Sequence, residues 1–344
     1  MDRNKILFGI KIFVAISLVT QLGIFIYSSY HNGGLSFTIP FHKMNYSVLS
    51  VAFCLAWLEG PISGLRIFFI MRVINPRITY LSSVKAAYGN IFLGAATPSQ
   101  TGGGVAQVYF ITKDNIPISQ ATAGSILSFV CTLFFLTTAM ISTALFTSPT
   151  MGYSFQLMMK SAAILVASTT LILLISVLFT HSINNVKFSL FTRLKNRGII
   201  KDRKGTFENL IKKLAAGLVT YRESIMLMYK RGLLPLFLGF LFTCLFFAIR
   251  FIIPYFIIIG LGGSAHVVEV MYIQLFIILI CYFSPTPGGS GMAEVSSLVL
   301  MTSFIGNPLT PIYTFLWRLC TLYVNCAIGG ILLYKDLKKS EETS

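Results

Sequence analysis

Charge is what this chain has least of: only 11% of its 344 residues are Asp, Glu, Lys or Arg, and Asp and Glu together number 11. A soluble domain needs far more polar surface, so a soluble enzyme or binding module is excluded. Histidine is also scarce. His31, His42, His181 and His266 fall near segment ends without metal-ligand spacing. The six cysteines (Cys54, Cys131, Cys244, Cys281, Cys320, Cys326) lie within apolar runs and form no CxxC pair. That excludes a zinc ribbon or disulfide framework and leaves small packed hydrophobes. With no His/Asp/Glu ligand set and no triad, neither metal, cofactor nor catalytic residue is expected.

What remains is 55% hydrophobic, with 30 Phe and a mean hydropathy of +0.78. This is the composition of an all-α polytopic membrane protein, a single integral membrane domain over 1–344. Runs able to cross a bilayer, which takes about 20 residues, occur at 6–28, 47–71, 118–146, 160–181, 232–259 and 309–334, giving about six full spans. The run at 6–28 is too long for a signal-peptide core and reads as a retained helix.

Two further apolar stretches, 86–111 and 267–305, are each interrupted by one motif. The first is Pro98-Ser99-Gln100-Thr101-Gly102-Gly103-Gly104-Val105-Ala106-Gln107-Val108. The second is Pro285-Thr286-Pro287-Gly288-Gly289-Ser290-Gly291-Met292-Ala293-Glu294-Val295. Without a gap they match at Pro98/Pro285, Gly102/Gly289, Gly104/Gly291, Ala106/Ala293 and Val108/Val295. Arms 86–97 and 105–111 are too short to cross and read as a re-entrant hairpin. Arms 267–284 and 290–305 can dip or cross, and either returns the chain to the side it left.

Basic residues orient the spans. With the N-terminus inside, Arg3, Lys5, Lys11, Arg72, Arg77, Lys85, Lys113, Lys335, Lys338 and Lys339 are cytoplasmic, as are the twelve in loop 182–231. Only Lys43 and Lys160 fall outside, so the positive-inside rule places both termini in the cytoplasm of a multi-pass cell-membrane protein. Formal charge of +16 then reflects loops facing anionic lipid, with no nucleic acid as partner. Within that loop, 206–229 has the spacing of an amphipathic helix on the inner leaflet. In this frame 47–146 and 232–334 have the same order of elements and opposite orientation, the inverted-topology repeat of many secondary transporters.

The motif residues Gly102, Gly103, Gly104, Pro285, Pro287, Gly288, Gly289 and Gly291 suit a binding site. Proline ends the preceding helix, and glycine takes positive φ or admits another group close to the backbone. The plainer explanation, tight turns and helix packing, is weakened by two copies at corresponding places. Three arginines lie inside spans: Arg66, Arg250 and Arg318. Each costs at least about 2.5–3.5 kcal/mol to insert, so each should face a polar interior and have a partner. Snorkelling to the interface is the rival explanation, open above all to Arg66. Pro254, four residues after Arg250, frees the Arg250 carbonyl and should kink that helix. Glu59 shares a helical face with Arg66 two turns away, too far for direct pairing. Glu59 and Glu294 are candidate proton sites, and Gln107 is the neutral counterpart of Glu294. Glu269, near a boundary, reads as a solvated end residue.

The second motif, with Arg250 before it and Trp317-Arg318 after it, resembles the flippase-like family, also described as the membrane region of lysylphosphatidylglycerol synthases. The resemblance covers roughly 5–335. In that family the membrane region moves aminoacylated phospholipid between leaflets, and fused versions add a soluble aminoacyl-transferase domain that this sequence does not include. The resemblance implies a translocating half whose lipid is open: phospholipid, aminoacylated phospholipid or lipid-linked glycan precursor. It also admits a separately encoded synthase or glycosyltransferase as partner.

The expected function is therefore lipid translocation by alternating access, for a membrane lipid with an anionic or zwitterionic headgroup. Rivals are a transporter of a small soluble anion, a non-transporting partner of a lipid-modifying enzyme, and, ranked last, a membrane enzyme acting on headgroups. A fluorescent protein that matures only in the cytoplasm, fused after Ser344, should fluoresce; a dark, correctly inserted fusion would invert the topology.

Overall fold

The computed structural model describes residues 3–31, 44–146, 153–178, 234–306 and 309–342. The basic loop 182–231, with its amphipathic stretch 206–229, lies outside them. The described chain is helical, without strands. Its elements are α1 (Arg3–His31), α2 (Tyr46–Ile74), α3 (Tyr80–Ala95), α4 (Gly103–Thr112), α5 (Ile118–Phe146) and α6 (Tyr153–Leu178). They continue with α7 (Leu234–Gly260), α8 (Val267–Phe283), α9 (Met292–Ile305), α10 (Thr310–Arg318) and α11 (Val324–Glu342). A π turn, Leu319–Tyr323, joins α10 to α11. Among the described residues, four helices are long and apolar enough to cross a membrane: Tyr46–Ile74, Ile118–Leu145, Leu234–Gly260 and Thr310–Lys339. α1 and α6 contain shorter apolar stretches, Val14–Tyr27 and Gln156–Ile172. Leu18, Val19, Leu22, Leu81, Ile164 and Val299 are exposed, the outward face expected where lipid replaces water as solvent.

Local chemistry sets the helix ends. Asn45 caps α2, its Oδ1 accepting from Val48 N at 3.2 Å, and Thr79 caps α3 through Ser82 N. Asp114 reinforces that second cap: its Oδ2 accepts from Thr79 N at 2.7 Å and its Oδ1 from Ser82 Oγ at 2.6 Å. Asp336 accepts from Tyr109 Oη at 2.7 Å and pairs with Lys113 at 3.3 Å, tying the end of α4 to α11. α7 continues through Pro254 to Gly260. Glu269 lies half-buried in the first turn of α8 rather than fully solvated.

α2 is the hub, and its packing against α7 is the most extensive helix pair. Ile67, Ile70 and Met71 of α2 join one core with α3, α4 and α5; Leu49, Ala52 and Ala56 join another with α7, α8 and α9. Glycine allows the close approaches. A Cβ on Gly60 would lie 2.0 Å from the Tyr88 ring, and one on Gly329 would lie 2.3 Å from the Tyr88 carbonyl. α3 is thus clasped between α2 and α11 by small residues, the means by which apolar helices associate without a hydrophobic force.

α3 and α4 pack together as one hairpin and α8 and α9 as another. With 16, 10, 17 and 14 residues, these arms extend about 24, 15, 25 and 21 Å, short of a hydrocarbon core of about 30 Å. Their tips meet. Pro98 and Pro287 form an antiparallel bridge, and both Ser99 N (3.2 Å) and Ser99 Oγ (3.1 Å) donate to the Ser284 carbonyl.

One expectation needs correction. Positive φ falls on Gly288, Gly289 and Gly291 in the second tip, but on Ser99 and Gln100 in the first. Gly102 and Gly103 serve close approach instead, since a Cβ there would come within 2.9 Å of the Leu93 carbonyl and 2.8 Å of the Asn90 carbonyl. Equal motifs thus fold into unequal turns, because proline occupies different places in the two. Cysteine differs too: Cys131, Cys281, Cys320 and Cys326 are buried, but Cys54 is exposed.

Gly329→Ala should force α11 off α3 and lower stability by about 1–3 kcal/mol. Gly23→Ala, with open space around its Cβ, should leave thermal melting in detergent nearly unchanged. Equal melting of both variants would refute the clasp.

Candidate functional site

A cavity of about 520 Å³ lies where the two hairpin tips face α2, α5, α7 and the π turn. All three span arginines line it. From the motifs come Ser99, Gln100, Thr101, Gly104, Gln107 and Gly288; Gly102, Gly103, Pro285, Pro287, Gly289, Gly291, Glu294 and Glu59 stand behind the wall. The sequence therefore identified the charged lining and part of the tips, while most of the motif glycines shape the turns rather than touch the space.

Each arginine is held differently. Arg318, 4% exposed, donates from Nε to Glu294 Oε1 at 2.8 Å and from Nη2 to the Gly288 carbonyl at 3.2 Å. Glu294 Oε2 in turn accepts from Gly291 N at 2.6 Å. Because α9 begins there, its first free N–H is satisfied by a carboxylate, which also suits the positive end of the helix dipole. Gly291 has φ +89°, a conformation closed to most side chains. One buried carboxylate thus fixes a helix start, a tip and an arginine, and both its oxygens are bonded.

Arg250 is 3.6 Å from Glu59 Oε2 through Nη1, and its Nη2 donates to the Thr321 carbonyl at 3.4 Å. That carbonyl lies in the π turn, where the altered bonding pattern turns backbone groups aside, a frequent feature of functional sites. Glu59 is fully buried, and its Oε2 also accepts from Asn325 Nδ2 at 3.0 Å. The carboxylate is indeed out of reach of Arg66, and its partner comes from another helix.

Arg66 has neither carboxylate. Its Nη1 donates to Thr132 Oγ1 at 3.0 Å, while its Nε is enclosed with no hydrogen-bond partner. Arg66 and Arg250 both lie over the Phe246 ring, at 5.5 and 5.7 Å from its centre, and Arg318 lies over Trp317 at 5.5 Å. Aromatic faces offset part of the lost hydration. Snorkelling is thereby excluded for Arg66, whose head points inward.

Three guanidiniums against two carboxylates leave one net positive charge on the cavity. Neutral polar groups complete the lining, among them Asn90, Ser63, Gln274 and Thr132. Asn90 Nδ2 donates to Gln107 Oε1 at 3.0 Å, so the first tip is held by a neutral amide pair where the second uses Arg318 and Glu294. Sequence reasoning missed Asn90, Gln274 and Asn325. Their signal was available: an amide inside an apolar helix calls for a partner just as an arginine does. Outside this cavity, a depression of about 330 Å³ beside Phe69 and Arg72 is mostly apolar and gathers no convergent polar groups.

The model of the lysylphosphatidylglycerol synthase TM region matches residues 10–329. The chain belongs to that family. This family member is 24% identical over 299 residues to a UPF0104 membrane protein of Archaeoglobus fulgidus, covering 87% of this chain and 89% of that one. It is also 24% identical over 278 residues to UPF0104 membrane protein PH1989 of Pyrococcus horikoshii, covering 77% and 79%. It is a membrane protein of the synthase TM-region family.

Arg318→Ala in this family member would leave Glu294 charged and buried, and should cost about 3–5 kcal/mol. Arg66→Ala removes one hydrogen bond and strands no carboxylate, so about 0.5–1.5 kcal/mol is expected. Thermal melting in detergent checks the order, and an Arg66 variant that melts lower than the Arg318 variant would refute the pairing scheme.

Proposed function

We propose that this protein is a lipid translocase for lipids with an anionic headgroup, working without chemical catalysis. The observation that carries the reading is the cavity itself, lined by three arginines with two carboxylates behind its wall, which leave Arg66 without a counter-ion. A phosphate oxygen at Arg66 would supply the missing partner, and guanidinium planes suit phosphate geometry. Phe129 supports lipid over a small soluble anion: it lines the cavity and is 54% exposed. A headgroup can then sit among the arginines while the acyl chains stay outside in the bilayer.

In this reading α3–α4 and α8–α9 are re-entrant hairpins, entering from the cytoplasm and from outside. Segments 47–146 and 232–334 are inverted repeats. The bridge between Pro98 and Pro287 is where one repeat rocks against the other, exposing the headgroup to each leaflet in turn. Both termini are cytoplasmic in the cell membrane, and a separately encoded synthase or glycosyltransferase would supply the lipid.

Reconstitution with fluorescent phosphatidylglycerol tests this. Wild type should move the lipid between leaflets, Arg66→Ala about 10-fold or more slowly, in line with loss of a charge-assisted contact. Arg250→Ala and Gly289→Leu should be slow as well. Equal rates in all four proteins would remove the site.

A further inference from the structure

The two buried carboxylates beside the cavity are not equivalent. Glu294 has both oxygens bonded, to Arg318 Nε and to Gly291 N. Glu59 has one oxygen engaged and the other, Oε1, buried with no hydrogen-bond partner. Asn325 is in the matching position: its Nδ2 donates to Glu59 Oε2, and its Oδ1 is also buried without a partner. Two orphan acceptors flank one existing N–H···O bond. An unmade hydrogen bond on a buried oxygen costs about 1–3 kcal/mol. A single proton between these oxygens would satisfy both, closing the two-bond ring that a carboxylic acid forms with an amide. The long approach of Arg250, 3.6 Å against 2.8 Å for Arg318, suits an acid whose charge is not committed to the guanidinium.

We infer that Glu59 is the proton site of this transporter, holding a proton against Asn325 when a headgroup anion occupies Arg250 and releasing it when Arg250 needs a counter-ion. This rests on the translocase reading of the cavity. With Glu59 neutral, Arg66 and Arg250 both offer uncompensated charge to the cavity; with Glu59 ionised, only Arg66 does. A proton from water and the headgroup anion therefore favour each other's binding, because protonating Glu59 frees Arg250 to join Arg66 on the headgroup. The groups that act on Glu59 are few. Arg250 comes from α7, Asn325 from α11, Tyr88 from α3 and Cys320 from the π turn. Of these only Arg250 carries charge near neutrality. Glu294, with both oxygens bonded, holds the second tip.

The test uses purified full-length protein in detergent and short-chain phosphatidylglycerol, whose phosphodiester stays ionised from about pH 5 to pH 9. Wild-type binding should weaken with rising pH, by up to about tenfold per unit where Glu59 ionises. In weak buffer with an indicator, lipid addition there should draw about one proton from solution. Glu59→Gln should bind at the tight low-pH level throughout and take up none. If Glu59→Gln does not fold, Asn325→Ala, which removes the amide half of the ring, should shift the pH midpoint of binding. Wild-type binding without proton uptake would overturn the inference and leave the translocase reading standing, as would unchanged pH dependence in whichever variant folds. No binding of phosphatidylglycerol at any pH would instead sink the reading on which it rests.

Discussion

Placing guanidinium charge inside an apolar bundle is the constraint around which this molecule is organised. A charge in hydrocarbon is tolerated only where other groups replace its water. Arg318 obtains a carboxylate and a carbonyl, Arg250 a more distant carboxylate and a carbonyl, and Arg66 a hydroxyl and an aromatic face. Each solution recruits a different element: the α9 start for Arg318, the π turn and α2 for Arg250, α5 for Arg66. Satisfying three charges therefore joins separate helices around one space.

The meeting of the two tips belongs to the same problem. Helix ends inside a packed apolar bundle leave backbone groups that need partners. The Pro98–Pro287 bridge and the donation from Ser99 to Ser284 answer part of that need, and Glu294 answers another at Gly291. Ser17 of α1 adds a contact to Ser290 of the second tip at 2.9 Å. Such contacts are short and few. The cores to either side, one around Ile67, Ile70 and Phe110 and the other around Ile253, Ile257 and Tyr313, are apolar and extensive.

Much of the fold was legible in the residues. The runs 47–71, 118–146, 232–259 and 309–334 anticipated α2, α5, α7 and the α10–α11 helix, because a span must be a long apolar run. Pro98 and Pro285 marked the ends of α3 and α8 within a few residues. All three span arginines line the cavity, although the sequence had left snorkelling to the interface open for Arg66. The positive φ expected of Gly102–Gly104 did not occur there. The facing tip packs against that turn, and it is not visible in one motif by itself.

Partnership was the part that spacing along one helix could not reach. Glu59 is two turns from Arg66, and no periodicity indicates that its guanidinium comes from α7 and its amide from α11. The sequence by itself determined that this is a helical membrane protein, where its spans lie, and that its few charges and two Gly/Pro breaks matter. Only the tertiary structure decided that one arginine is left without a carboxylate, that one carboxylate keeps an unbonded oxygen, and that all three arginines share a cavity. Hydropathy and chain-breaking act locally and are written residue by residue, whereas the compensation of buried charge is a balance over the whole packed bundle.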